Sequence, residues 1–327
     1  MRVLVTGGTG YLGRAIVRAL ASHGHVPVVF ARSAVDSGLP GEAVNGDVRG
    51  RDAVREAAAG CDAICHTAAL VSVWRPRRAD FDDVNVGGLD NVLAAAAALG
   101  IRRIVYTSSF LALPPTGADR PLQGNDYQRT KVIAERRARE AAARGAPIVC
   151  LYPGVMYGPG PLTEGNLVGR MMADHLAHRL RGLIGANRVW SYAFVDDVAE
   201  GHVAALDRGR IGERYLLGGE NAPQIRAFEI LREQTGRALP RRIPSLVAAA
   251  LAVAEQARAA VLRKPPLLTP ATVRILEHDW ALDSSVAERD LGYRPRPLVT
   301  GLSATIAALT SVPQSVKSVT ADGDPRA

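Results

Sequence analysis

Val3-Leu4-Val5 reads as a short buried strand, and Thr6-Gly7-Gly8-Thr9-Gly10-Tyr11-Leu12-Gly13 follows it at once. Leu12, Ile16 and Leu20 then recur at helical spacing. A strand that turns through glycines into an amphipathic helix has few solutions. Gly7 allows the tight turn, Gly10 lets the backbone approach a pyrophosphate, and Gly13 lets helix and strand pack closely. The anion would sit on the helix N-terminus, where free N–H groups and the helix dipole converge. The expected ligand is a dinucleotide, and the expected fold a doubly wound α/β sheet.

The second strand, Val26-Pro27-Val28-Val29-Phe30-Ala31, ends in Arg32-Ser33, with no carboxylate before Asp36. An acid at this tip would hold the ribose hydroxyls of NAD, whereas a cation and a hydroxyl suit the 2′-phosphate of NADP. NADP(H) is therefore the preferred cofactor, with NAD(H) possible.

Tyr127 and Lys131 stand four apart at the head of an Ala- and Arg-rich helical stretch. That spacing puts both on one helix face. An ammonium beside a phenol favours phenolate and would lower the tyrosine pKa from about 10, making an acid/base group for a carbonyl or alcohol. Chance is a weak rival. With 8 Tyr and only three Lys in 327 residues, the pairing is expected about 0.07 times from composition alone. Where arginine otherwise dominates, a lysine implies a need for a compact point charge.

With these motifs the chain resembles an extended short-chain dehydrogenase/reductase over about residues 1–305. Gly46-Asp47-Val48, Thr67-Ala68-Ala69, Asn85-Val86-Gly87-Gly88, Tyr106-Thr107-Ser108-Ser109 and Pro153-Gly154-Val155 resemble further motifs of that family. Val195-Asp196-Asp197-Val198 resembles the segment that returns to the core domain. Residues 66–74, 213–222 and 290–295 are most similar to the dihydroflavonol reductase-like and 3β-hydroxysteroid dehydrogenase-like branch. The resemblance implies Ser109 as the serine that hydrogen-bonds the substrate oxygen, with Ser108 a neighbouring alternative. It implies Tyr127 as general acid/base, Lys131 as its tuner and nicotinamide-ribose ligand, and Asn85 as holder of a proton-relay water. Asp47 and Val48 would meet the adenine, Thr67, Ala68 and Ala69 would line the cofactor crevice, and Pro153 and Val155 would meet the nicotinamide edge. Ser109 and Tyr127 are closer in sequence than is usual, so the 113–117 loop reads as trimmed.

Strand-like and helix-like segments alternate to about residue 155, giving an NADP-binding Rossmann domain at 1–155, to which the chain returns near 188–218. A smaller, mostly helical substrate lobe occupies 156–310, and 311–327, rich in Ser, Thr, Asp and Pro, reads as a disordered tail. The chain begins with a core strand, so no signal peptide is expected, and the location is cytoplasmic. Residues 246–253 are apolar, but Glu255, Gln256 and Arg258 interrupt the run, so a lobe helix is expected and no stable membrane insertion. Cys61, Cys65 and Cys150 are too few for a disulfide framework and read as small core residues. His23, His25, His66 and His202 show no ligand spacing, so no metal is expected.

The net charge is +8, yet the arginines are scattered and aromatic residues make up only 5%, which argues against a nucleic-acid partner. One local cluster, Trp74-Arg75-Pro76-Arg77-Arg78, reads as a solvated loop or as a clamp on an anionic ligand. The expected activity is hydride transfer between nicotinamide and a carbonyl or secondary alcohol of a medium-sized, largely apolar small molecule. Trp74, Leu111, Leu113, Tyr157, Trp190 and Tyr192 are the expected pocket, in a monomer or homodimer. An NAD-dependent nucleotide-sugar epimerase or dehydratase is the alternative, and a non-catalytic NADP-sensing protein a second.

Overall fold

The computed structural model describes residues 1–72, 74–262 and 265–311. Apart from Ser311, the tail expected to be disordered lies outside them. The chain runs β1 (Arg2–Thr6), α1 (Tyr11–Ser22), β2 (Val26–Ala31), β3 (Glu42–Asn45), α2 (Arg51–Ala58), β4 (Ala63–His66) and α3 (Ala79–Asp82). A single π turn, Asp83–Gly87, joins α3 to α4 (Gly88–Leu99). Next come β5 (Ile104–Thr107), α5 (Asp126–Ala143), β6 (Ile148–Pro153), β7 (Val155–Tyr157), α6 (Leu167–Leu176), β8 (Leu183–Ile184), β9 (Val189–Phe194) and α7 (Val195–Arg208). The last part is β10 (Arg214–Leu217), β11 (Asn221–Pro223), α8 (Gln224–Thr235), β12 (Arg242–Ile243), α9 (Ser245–Leu262), α10 (Pro270–Leu276), α11 (Ser285–Leu291) and α12 (Leu298–Ser311).

Seven strands form one parallel sheet in the order β10-β6-β5-β4-β1-β2-β3. Its central strands are buried on both faces, which is why they read as continuous apolar runs. Val3 and Val5 point to the side covered by α1, α7 and α11, whereas Leu4 points to the side covered by α2, α4 and α5. From β1 the chain winds outward through β2 and β3, then crosses back to β4. The order therefore reverses between β1 and β4, and a crevice opens at their carboxyl ends. The glycine loop after β1 and residues 67–69 after β4 meet there.

Short strands join the helices of the capping region, which the apolar pattern alone does not reveal. β11, β9 and β7 form a three-stranded sheet, and β12 pairs with β8. A third apolar cluster fills this region, with Trp190, Tyr192, Phe194, Phe228 and Trp280 among its buried members. Asp197 on α7 ties the capping region to the core. Its carboxylate accepts from the Arg296 backbone N–H at 2.8 Å and from the guanidinium at 2.6 and 2.9 Å. The same guanidinium stacks 3.7 Å from the centre of the Phe194 ring.

Candidate active site

Gly7 has φ +71°, and a Cβ there would come within 2.7 Å of the Ala68 Cα. At Gly13 a Cβ would strike the Gly7 carbonyl oxygen. Both positions therefore demand glycine, and both hold open the ground in front of α1. Gly10 caps that helix with no side-chain hydrogen bond, and the first turn carries no acid. Its leading N–H groups and the positive end of its dipole face the crevice. This cradle fits a pyrophosphate. Tyr11 and Leu12 can serve only through their backbone, because both side chains are buried. The Tyr11 hydroxyl donates to the Gly158 carbonyl at 3.2 Å.

Arg32 and Ser33 are exposed just beyond β2. Among the described residues Arg32 forms no ion pair, so its charge is free for a ligand. Asp47 lies near it but is engaged by Arg49, which donates from its backbone N–H at 2.9 Å and from its guanidinium at 2.6 and 3.0 Å. That grip holds the Asp47 carboxyl below its ordinary range despite partial burial. Val48 is buried against Gly88, and its carbonyl accepts from Asn91 Nδ2 at 2.9 Å. Thr67 Oγ1 donates to the Thr6 carbonyl at 2.8 Å, fixing the strand end from which Ala68 and Ala69 extend. Pro153 ends β6 and Val155 opens β7, with Gly154 pressed against the Ser191 carbonyl between them.

The candidate catalytic groups come from three different elements. Ser109 follows β5 and caps a single turn, its Oγ accepting from the Leu111 N–H at 3.2 Å. Tyr127 and Lys131 lie in the first turns of α5, which begins at Asn125, whose Oδ1 accepts from the Gln128 N–H at 2.8 Å. Such a cap contributes about 1 kcal/mol and sets where the helix starts. Lys131 Nζ donates to the Thr107 carbonyl at 3.2 Å and lies 6.0 Å from the centre of the Tyr127 ring. Asn85 sits on the π turn, a local widening often found at functional sites. Its Oδ1 accepts from the Leu70 N–H at 2.7 Å, and its Nδ2 donates to Thr130 Oγ1 at 2.9 Å. Behind Thr107 stands His202, whose Nε2 is 2.8 Å from the threonine hydroxyl and whose Nδ1 is 2.8 Å from the Val198 carbonyl.

The electrostatics reverse the expected direction for the tyrosine. Part of its ring is accessible, but surrounding protein desolvates the phenol and pushes it up to about 12, with a hydrogen bond from Ser109 pulling weakly the other way. Burial also brings Lys131 down to about 8. Helical spacing showed a cation near a phenol; it could not show that both are withdrawn from water. The pH profile should follow Lys131. As pH rises through about 8 its ammonium is lost, so kcat/KM for reduction should fall on a basic limb near that value. Lys131→Met should lose this limb, as checked by rates between about pH 6 and 10. A flat wild-type profile over that range would refute a charged-lysine requirement.

Several residues expected at the pocket are placed otherwise. Tyr157, Trp190 and Tyr192 are core residues, with Tyr157 edge-on to Tyr192 at 6.0 Å and to Phe194 at 5.5 Å. Leu111 shares their cluster, and Tyr127 packs against it, whereas Leu113 packs against the cluster under α2, α4 and α5. Trp74 is partly buried, with its backbone N–H and carbonyl tied to Ser72 Oγ. The arginine clamp is also mostly internal wiring. Arg77 pairs with Asp83 at 2.8 Å, and Arg78 with Asp126 at 2.8 Å. Arg129 reaches Asp82 at 2.6 Å and Asp126 at 3.2 Å, so four charges staple α3 to the first turn of α5. Neither Asn91 and Thr130 nor this staple announces itself in the sequence, since each depends on partners dozens of residues away. A cavity of about 220 Å³ is lined by Leu122, Gln123, Gly124, Gln128, Ala271 and Arg274, and Tyr127 is not among its lining residues. The Gln128 carboxamide oxygen accepts from the Gly124 N–H at 3.2 Å, leaving its buried Nε2 without a partner. Among the described residues, no cluster of three or more His, Cys, Asp or Glu is placed to hold a metal ion.

Comparison with known proteins accounts for this arrangement. Residues 3–218 match the family model described as the NAD dependent epimerase/dehydratase family. Sterol demethylase protein B of Methylococcus capsulatus is 34% identical over 311 residues, covering 90% of this chain and 94% of that protein. A 3 beta-hydroxysteroid dehydrogenase/Delta 5-->4-isomerase of Mycobacterium tuberculosis is 30% identical, covering 90% and 86%. The crystal structure of gox2253 superposes with a TM-score of 0.79 at 28% identity, covering 94% and 97%. The chain thus belongs to the NAD dependent epimerase/dehydratase family, the extended short-chain dehydrogenase/reductases, whose members use a nicotinamide dinucleotide.

Proposed function

We propose that the protein is an NADP(H)-dependent oxidoreductase acting on a ketone, aldehyde or secondary alcohol of a medium-sized, largely apolar molecule. The observation that carries this reading is the convergence of Ser109, Tyr127 and Lys131 beside the glycine cradle. The cradle, with Arg32 and Ser33 at the tip of β2, would hold the dinucleotide, which supplies or accepts the hydride when bound. Ser109 would donate to the substrate oxygen and orient it. Tyr127, protonated at neutral pH because burial disfavours its phenolate, would give that oxygen its proton in reduction and take it back in oxidation. Lys131, anchored on the Thr107 carbonyl, would hold positive charge behind the phenol. Asn85, fixed on both sides by Leu70 and Thr130, would order the route by which the proton is replaced.

The apolar cluster against which Tyr127 packs favours a carbon skeleton over a sugar. The relatives named for sterols and hydroxysteroids point the same way. An epimerase gains by never releasing its cofactor, whereas a reductase must exchange it every cycle. Purified protein should therefore carry little NAD and consume NADPH stoichiometrically with a ketone. Retained NAD together with epimerisation of a nucleotide sugar would overturn the reading. Arg32→Ala should weaken NADPH binding by about 1.5–3 kcal/mol, the range for a hydrogen bond to a charged group, and leave NADH nearly untouched. Titration of both cofactors is the check; equal losses would make Arg32 structural.

A further inference from the structure

Helix α9 is attached to the protein inside out. Its buried line consists of Ala248, Ala252 and Ala259, so the helix docks through methyl groups. The large apolar side chains point away from the body: Leu246 is 86% exposed, Val261 81% and Val253 62%. Val247, Leu251 and Leu262 are exposed as well. At 100° per residue these six spread over about half the helix circumference. An ordinary surface helix buries its apolar stripe and shows water its charges. Within this helix the one charge on the apolar arc, Arg258, is folded back onto Glu255 at 2.8 Å. Scattered apolar residues on a surface are unremarkable, but a contiguous apolar ridge marks an interaction site.

The charges at the foot of the ridge say what the partner is. β12 delivers the chain into α9, and β8 lies beside it. Arg242 in β12, Arg241 just before it and Arg181 before β8 are exposed; Arg181 lies in the field of Glu255, whereas Arg241 and Arg242 form no ion pair with a carboxylate among the described residues. A wide apolar arc flanked by free guanidinium groups complements the acyl–headgroup boundary of an anionic bilayer. A partner helix would ask for a narrower seam. No described helix is long and apolar enough to cross a membrane, so the contact is one of lying on the surface.

We propose that α9 is a reversible membrane-contact ridge, with Leu246, Val253 and Val261 entering the interface of an anionic lipid bilayer and Arg241 and Arg242 meeting its headgroups. The proposal stands apart from the oxidoreductase reading. Its test is co-sedimentation of the full chain with phosphatidylcholine vesicles, with or without roughly 30% phosphatidylglycerol. Wild type should partition onto the anionic vesicles and be partly released by salt, since screening weakens only the arginine contribution. The triple variant Leu246→Glu/Val253→Glu/Val261→Glu should bind at least about tenfold less, with an unchanged melting temperature, because the substituted side chains are already in water. Arg241→Ala/Arg242→Ala should lose the preference for anionic over neutral vesicles. Wild-type protein that binds neither vesicle would overturn the proposal. So would a homodimer that the triple variant turns into a monomer without change in vesicle binding, which would assign the ridge to a second copy of the chain.

Discussion

Tyr127→Phe should fold, bind NADPH as wild type does, and turn over a ketone at least about a hundredfold more slowly, the scale expected when general acid catalysis is lost. The substitution removes a single oxygen. The ring remains packed against the capping-region cluster, and Lys131 keeps its bond to the Thr107 carbonyl. Binding and fold are thus largely insulated from the change, which makes the kinetics interpretable. Because the phenol is pushed up to about 12, the wild-type group is a stored proton at neutral pH, and phenylalanine has none to give. Turnover near the wild-type rate in a folded variant would remove Tyr127 from the mechanism. A loss of NADPH binding equal to the loss of rate would show that the tyrosine acts through the cofactor site instead.

Asp197→Ala should give the largest loss of stability, about 1.5–3 kcal/mol, as when the acceptor of charge-assisted hydrogen bonds from a partly exposed arginine is deleted. Four hydrogen bonds from Arg296 converge on this carboxylate, one of them from its backbone N–H. Without it, the Arg296 guanidinium over Phe194 loses its hydrogen-bonded carboxylate and keeps only water and the field of Asp196. Asp197→Asn should be milder, since an amide oxygen still accepts from the Arg296 backbone. Denaturant unfolding of both variants is the measurement. An alanine variant within about 0.5 kcal/mol of wild type, the usual range for an ordinary surface change, would mean that the two regions are held together elsewhere.

The parts of this protein that could be read from its sequence are those whose partners are close in the chain. The glycine loop announced itself because strand, turn and helix follow one another within twenty residues. Tyr127 and Lys131 did so because one helical turn separates them. The DLGYRP segment at 290–295 was visible as a pattern, but not the reason for it: Tyr293 donates to the Gly218 carbonyl at 2.8 Å, and the neighbouring Arg296 reaches Asp197. The arginines at 77 and 78 read as a solvated loop or a ligand clamp because their carboxylates, Asp83 and Asp126, cannot be matched to them by spacing. The aromatic residues Tyr157, Trp190 and Tyr192 were expected at the pocket from residue type and family resemblance, while packing on one another buries them in the core. The tyrosine pKa had the wrong sign for the same reason, since burial is a property of the whole fold.

Thr107 has a consequence for where protons travel. Its carbonyl, the oxygen that holds Lys131, can accept but cannot hand a proton on. Its hydroxyl faces His202, which burial brings down to about 4 and so keeps neutral. The Val198 carbonyl can only accept, so His202 carries its hydrogen on Nδ1, and Nε2 must take the hydrogen of the threonine. The chain from Thr107 through His202 is thereby committed in one direction and ends on a backbone carbonyl. Through Thr107 and His202, then, a proton has no onward route. On the proposed acid/base role, each proton that Tyr127 gives would be replaced from the cofactor crevice, and a substrate large enough to plug that crevice would delay the recharging until it leaves.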